Sequence, residues 1–138
     1  MMMTRRTKQN LDAAMQCEAF THALYLRFAA RARRQRNWKL AQLFQTIADT
    51  EPIKHFAEGA DLAGLVSNDA ENLKYALNEK RAQAAMCGRF ATQARADGDL
   101  TAAACFEKLR AEESTQADTL EAAFRVQTAQ CPACLLEA

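Results

Sequence analysis

The sequence predicts an all-α fold, a four-helix bundle built from a duplicated helical hairpin. Three observations carry that prediction. Residues 10–51 recur at 72–113, displaced by 62 with no gap: Asn10-Leu11, Arg27-Phe28-Ala29, Ala32-Arg33, Ala41, Phe44 and Glu51 return as Asn72-Leu73, Arg89-Phe90-Ala91, Ala94-Arg95, Ala103, Phe106 and Glu113. Helix breakers are scarce, with four Gly and two Pro in 138 residues, and Val and Ile together total four. Apolar residues return at alternating steps of three and four, the spacing of a helix face.

The elements follow in order. Residues 1–8 are expected to form a disordered basic arm. The first helix is expected from about Gln9 to Arg34. Asn37 is a good N-cap for a second helix reaching about Leu62. Pro52 lies inside it and is expected to kink or bulge it, since proline removes a backbone hydrogen bond. The third helix is expected from Asp69 to about Ala96. Asp97-Gly98 makes a turn, and Asp99 caps a fourth helix running to about Gln127. The domain is thus 9–127, with hairpins 9–62 and 69–127, and 128–138 is a tail.

The stripes locate a candidate site. Glu18, His22 and Tyr25 stand on the stripe of the first helix, and Glu51, Lys54 and Glu58 on that of the second. Lys80 stands on the third stripe, and Glu113 and Gln116 on the fourth. Most stripe ends are apolar and the polar positions gather midway. Packing the four helices would bury one layer of ionisable side chains, which is costly unless they are paired or bind metal.

Composition excludes several classes. The formal net charge is +1, so bulk electrostatics predicts neither a nucleic-acid nor a membrane partner. Arg31, Arg33, Arg34 and Arg36 cluster near the first hairpin tip, and their plainer reading is a solvated helix end rather than a phosphate patch. No apolar run is long enough for a span, and no apolar stretch backs the basic N-terminus as in a signal peptide. Five cysteines at irregular spacing fit a reducing, cytoplasmic setting better than a disulfide framework.

The segments Asn10-Leu-x-x-Ala-x-x-Cys17-Glu18, Phe44 to Glu51 and Phe106 to Glu113 resemble the rubrerythrin diiron domain. The likeness covers residues 9 to about 126. It implies a ferritin-like four-helix bundle with two irons in its core, acting on peroxide or dioxygen. Through that resemblance Glu18, Glu51 and Glu113 match ligand glutamates, and Tyr25 matches a tyrosine beside the irons. The sequence departs from the pattern elsewhere. Lys54 and Gln116 stand where the family has histidines, and Lys80 stands where it has a glutamate.

These departures predict the loss of the metal centre. Glu18, Glu51 and Glu113 supply three negative charges, and Lys54 and Lys80 supply two positive ones. The layer is therefore nearly neutral without iron, and an ammonium beside two irons would be repelled or lose its proton. The expected core holds Glu–Lys pairs and no cofactor. A remodelled iron or zinc site is the alternative, for an oxidoreductase or a metal-storage protein. It would use Glu18, Glu51, Glu113, His55 and His22. The plainer reading of His55 is an interfacial histidine, that of His22 a histidine bonded to Tyr25 or Glu18, and that of Tyr25 simple packing. Lys54 and Lys80 near carboxylates also have the chemistry of a base or Schiff-base nucleophile.

In a ferritin-like bundle the second and third helices run parallel. About 31 Å must then be crossed between hairpins, at about 1.5 Å per helical residue, and seven extended residues reach only about 24 Å. Exchange of the second hairpin between two chains relieves that shortfall, so a domain-swapped homodimer is expected. Cys131-Pro-Ala-Cys134 in the tail resembles half of a rubredoxin-type knuckle. One knuckle cannot complete a tetrahedral site. Cys17, Cys87 and Cys105 read as small core residues.

Overall fold

The computed structural model describes residues 3–50 and 52–130, with side chains from 3 to 49 and from 55 to 130. The described residues are all-helical: α1 Arg5–Arg34, α2 Trp38–Thr50, α3 Pro52–Ala63, α4 Asp69–Ala96 and α5 Leu100–Gln130. No described helix is long and apolar enough to cross a membrane. The chain divides into two compact units, Met1–Val66 and Ser67–Ala138.

In the first unit α1 packs against α2 and α3. Thr4 caps α1, its hydroxyl accepting from the Thr7 amide at 3.2 Å. The helix thus begins at Arg5, and residues 5–8, expected in a disordered arm, form its first turn. Arg31, Arg33 and Arg34 occupy its last turn, where cations offset the negative end of the helix dipole. The chain then reverses through paired bonds, Asn37 N–H to Ala32 C=O at 2.9 Å and Arg36 N–H to Arg33 C=O at 2.9 Å. This is a Schellman cap with Arg36 in the left-handed region, at φ 57°. Asn37 caps α2 as expected, Oδ1 accepting from the Leu40 amide at 3.2 Å.

Pro52 opens α3, at the helical position where its missing N–H is tolerated. The expected single helix over 38–62 is therefore described as α2 and α3. A second Schellman cap closes α3 around Gly64, at φ 67°. The unit buries mostly small side chains: Ala29, Ala32, Ala41, Ala48 and Ala60, with Met15. Gly59 makes this packing possible, because a Cβ there would collide with the Met15 sulfur.

In the second unit α4 packs against α5. Asn68 caps α4, Oδ1 accepting from the Glu71 amide at 2.9 Å. Asn72 adds two bonds of 2.8 Å to the Ser67 backbone. At the hairpin tip Asp99 N–H reaches Ala94 C=O and Gly98 N–H reaches Arg95 C=O, with Gly98 at φ 83°. These are the tip bonds of the first unit displaced by 62. The side chains repeat as well. Phe28 and Phe44 meet at 5.2 Å between ring centroids, and Phe90 and Phe106 at 5.5 Å. Arg33 donates to Gln45 at 2.6 Å, and Arg95 to Glu107 at 2.8 Å. α5 continues three residues past the expected end.

Two cysteine expectations are corrected. Cys87 is buried, but Cys17 and Cys105 are exposed. A two-helix unit covers one side of each helix, and these two thiols lie off the covered side.

Candidate functional site

In the second unit α4 and α5 place Lys80 and Glu113 together. The Lys80 ammonium lies 2.6 Å from Glu113 Oε2. The two side chains are 30% and 18% exposed. Oε2 itself is buried and has no hydrogen bond of good geometry, so the ammonium is its charge partner. Gln83, one turn along α4, accepts from the same ammonium at 3.5 Å. Gln116 is exposed on α5. A cation thus neutralises Glu113 at the position where the resemblance puts a ligand glutamate.

In the first unit Glu18, His22 and Tyr25 follow one another along α1, and all three are half-buried. His22 does not bond Tyr25 or Glu18. Its Nδ1 lies 2.8 Å from the carbonyl oxygen of Ala48 on α2. A carbonyl only accepts, so Nδ1 carries the hydrogen. In a helix that carbonyl would receive the N–H four residues on, which is Pro52 and has none. Ala48 is fully buried, so water cannot reach it. His22 thus supplies the donor that Pro52 lacks. Tyr25 stacks against Phe28 at 5.9 Å and tilts against Phe44 at 5.6 Å.

The remaining candidates stand apart. His55 is exposed on α3. Glu51, the Lys54 side chain, Cys131 and Cys134 lie outside the described residues. Among the described residues no three His, Cys, Asp or Glu side chains converge as a metal-binding group.

The interhelical bridge at the second tip has a distinct electrostatic character. The hydrogen bond from Arg95 holds the Glu107 carboxyl below its ordinary range, and the charges of Arg95 and Arg110 add to that. Arg110 lies 3.6 Å from Glu107. The first tip has the neutral Gln45 in the same place, bonded in turn to Asp49 at 2.9 Å.

Sequence reasoning missed two of these relationships. The His22–Ala48 bond was legible only as a carbonyl without a donor four residues before Pro52. The Gly59–Met15 approach was legible as a glycine inside a helical stretch. Comparison of the chain with protein-family models, with curated proteins and with solved structures gives no match.

Proposed function

We propose that the chain is a rubrerythrin-like, ferritin-fold protein whose diiron layer has been replaced by Glu–Lys pairs, acting without catalysis through its surface or its dimer. The observation that carries this is the Lys80–Glu113 contact at 2.6 Å, with Glu113 Oε2 buried. A diiron ligand set needs carboxylates where Lys80 stands, so the residues do not fit two irons. Glu113 needs a positive partner, and the ammonium meets that need.

The two hairpins are read as a gene duplication that assembles into one four-helix bundle. Their common tip bonds and aromatic pairs support this. So does charge: residues 1–66 hold ten Lys and Arg against six Asp and Glu, and residues 67–138 hold eight against eleven. Each hairpin is therefore better matched to the other kind than to its own. The link from Ala63 to Asp69 reaches about 21 Å when extended, whereas a parallel arrangement of Glu51 and Lys80 requires about 34 Å. A homodimer that exchanges its second hairpins removes that conflict.

Elemental analysis after expression in iron- and zinc-supplemented medium tests the core. The expected result is no stoichiometric metal. Two metals per chain would sink the ion-pair reading. Scattering tests the dimer, which fails if the particle has single-chain mass.

A second reading, a remodelled iron or zinc centre in an oxidoreductase, rests on His22. The Ala48 carbonyl fixes its ring as an outer-shell acceptor fixes a metal-bound histidine, leaving Nε2 open. One metal per chain, lost in H22A, would favour it.

A further inference from the structure

The near-neutral balance of the chain conceals a local excess. From Ala19 to Ala48 there is no Asp or Glu, while Arg27, Arg31, Arg33, Arg34, Arg36 and Lys39 supply six positive charges. All six are exposed. None is in an ion pair among the described residues, although Arg33 donates to Gln45. The matching stretch of the second hairpin, 81–110, holds five cations and three acids. Four of those five cations are ion-paired. The excess thus belongs to one repeat and is not required by the hairpin.

Its geometry is ordered. Arg27, Arg31 and Arg34 lie at i, i+4 and i+7, one stripe of α1 with successive rises of about 6 and 4.5 Å. Ala29 and Ala32, both buried, lie on the opposite side of the helix, so the stripe faces away from α2. At the end of the stripe Trp38 is 63% exposed, between Arg36 and Lys39. Its counterpart is Leu100.

One further feature sets this tip apart. Three described Schellman caps need a residue at positive φ, and two use Gly64 and Gly98. The third uses Arg36, at φ 57°. A side chain there costs about 1–2 kcal/mol that glycine avoids. An arginine kept against that cost adds charge beside the Trp38 ring.

We infer that the first hairpin tip is a binding surface for single-stranded nucleic acid, with phosphates along Arg27, Arg31 and Arg34 and a base stacked on Trp38. Cations spaced along one exposed face track a phosphate backbone, and an exposed indole offers a stacking platform to any base. A membrane surface fits less well, because an interfacial helix needs a broad apolar face opposite its cations, and here that side is packed against α2. This site is independent of the polar layer and of how that layer is read.

Trp38 is the only tryptophan of the chain, so its emission reports directly on the site. The full chain is titrated with unlabelled oligothymidylate of about 20 nucleotides, with duplex DNA, and with phosphatidylserine vesicles, across about 50–200 mM salt. The expected result is saturable quenching by the single strand and an affinity that falls with salt. The R31Q/R34A/R36G variant installs the residues of the second hairpin. It should bind about tenfold or more weakly, with a salt slope shallower by about 2, at about 0.7 per lost phosphate contact. R31Q alone should shift the slope in the same direction by about a third of that. W38L, followed by strand mobility, should bind about fivefold or more weakly through lost stacking. The proposal is overturned if no single strand binds at low salt, or if R31Q and the triple variant bind like the parent. It is equally overturned if duplex binds as well as the single strand without quenching, or if only vesicles bind.

Discussion

His22 donates through Nδ1 to the carbonyl of Ala48 at 2.8 Å, standing in for the backbone N–H that Pro52 does not have. A fully buried carbonyl without a partner costs about 1–3 kcal/mol. H22A is therefore expected to destabilise the protein by about that amount. P52A restores an N–H four residues after Ala48. In the P52A background the cost of H22A should shrink by about 1 kcal/mol or more. A double-mutant cycle by denaturant unfolding measures this, and additive single effects would refute the substitution of one donor for the other.

Lys80 and Glu113 form a half-buried pair, so the two ways of removing it should differ. K80M leaves a buried carboxylate oxygen without its cation, and E113L leaves an ammonium without its anion. Each single change is expected to cost about 1–3 kcal/mol, between the values for surface and buried pairs. K80M/E113L should lie close to the parent, because two apolar groups of similar size remove both charges together. If the double variant is as unstable as the sum of the singles, the pair contributes no coupling.

Glu107 gives the second tip a pH dependence that the first tip lacks. Its folded pKa is lowered by the Arg95 hydrogen bond and the nearby guanidinium charges. The stabilisation it contributes is then complete above the ordinary glutamate range and is lost as pH falls through the lowered folded value. E107Q makes the second tip like the first, where Gln45 holds the same place. The difference in stability between parent and E107Q should shrink in acid and stay constant above the carboxylate range. Unfolding curves from neutral to acid pH follow it, and a difference that widens in acid contradicts the sign.

The helices and their ends were legible because periodicity and capping are local. Asn37, Asp69 and Ala96 mark boundaries that the structure reproduces. The Lys80–Glu113 pair was legible because the repeat put a lysine and a glutamate on facing stripes. Other features were not, for physical reasons. The His22 bond depends on a backbone donor missing from another helix, which stripe patterns do not record. Cys17 and Cys105 sat near apolar residues in sequence, but one neighbouring helix covers only one side. The polybasic tip was hidden by averaging, since the excess of acids in residues 67–138 cancels it in the net charge. Glu51, Cys131 and Cys134 fall outside the described residues.

Gly59 and Met15 define the closest approach of α1 and α3. A Cβ at Gly59 would overlap the Met15 sulfur. G59A is expected to destabilise by about 1–3 kcal/mol, the usual effect of overpacking, despite the better helix propensity of alanine. M15A makes room and should reduce the effect of G59A. Thermal unfolding of the four species checks this, and a stabilising G59A in the parent would show that the helices have room to part.

Arg36 and Gly98 occupy the same place in the two tips, at φ 57° and 83°. A side chain in the left-handed region is strained, and glycine is not. R36G should therefore stabilise the protein by about 1 kcal/mol, whereas G98R should destabilise it by a similar amount. The two changes leave the Schellman bonds in place, so helix content should be constant. If Arg36 serves the basic surface, R36G combines a gain in stability with a loss in affinity for single strands. Unfolding midpoints and Trp38 titrations on the same samples separate the two effects. A variant that loses both stability and affinity would mean that Arg36 holds the tip together, and one that gains both would leave the strained arginine without a binding role.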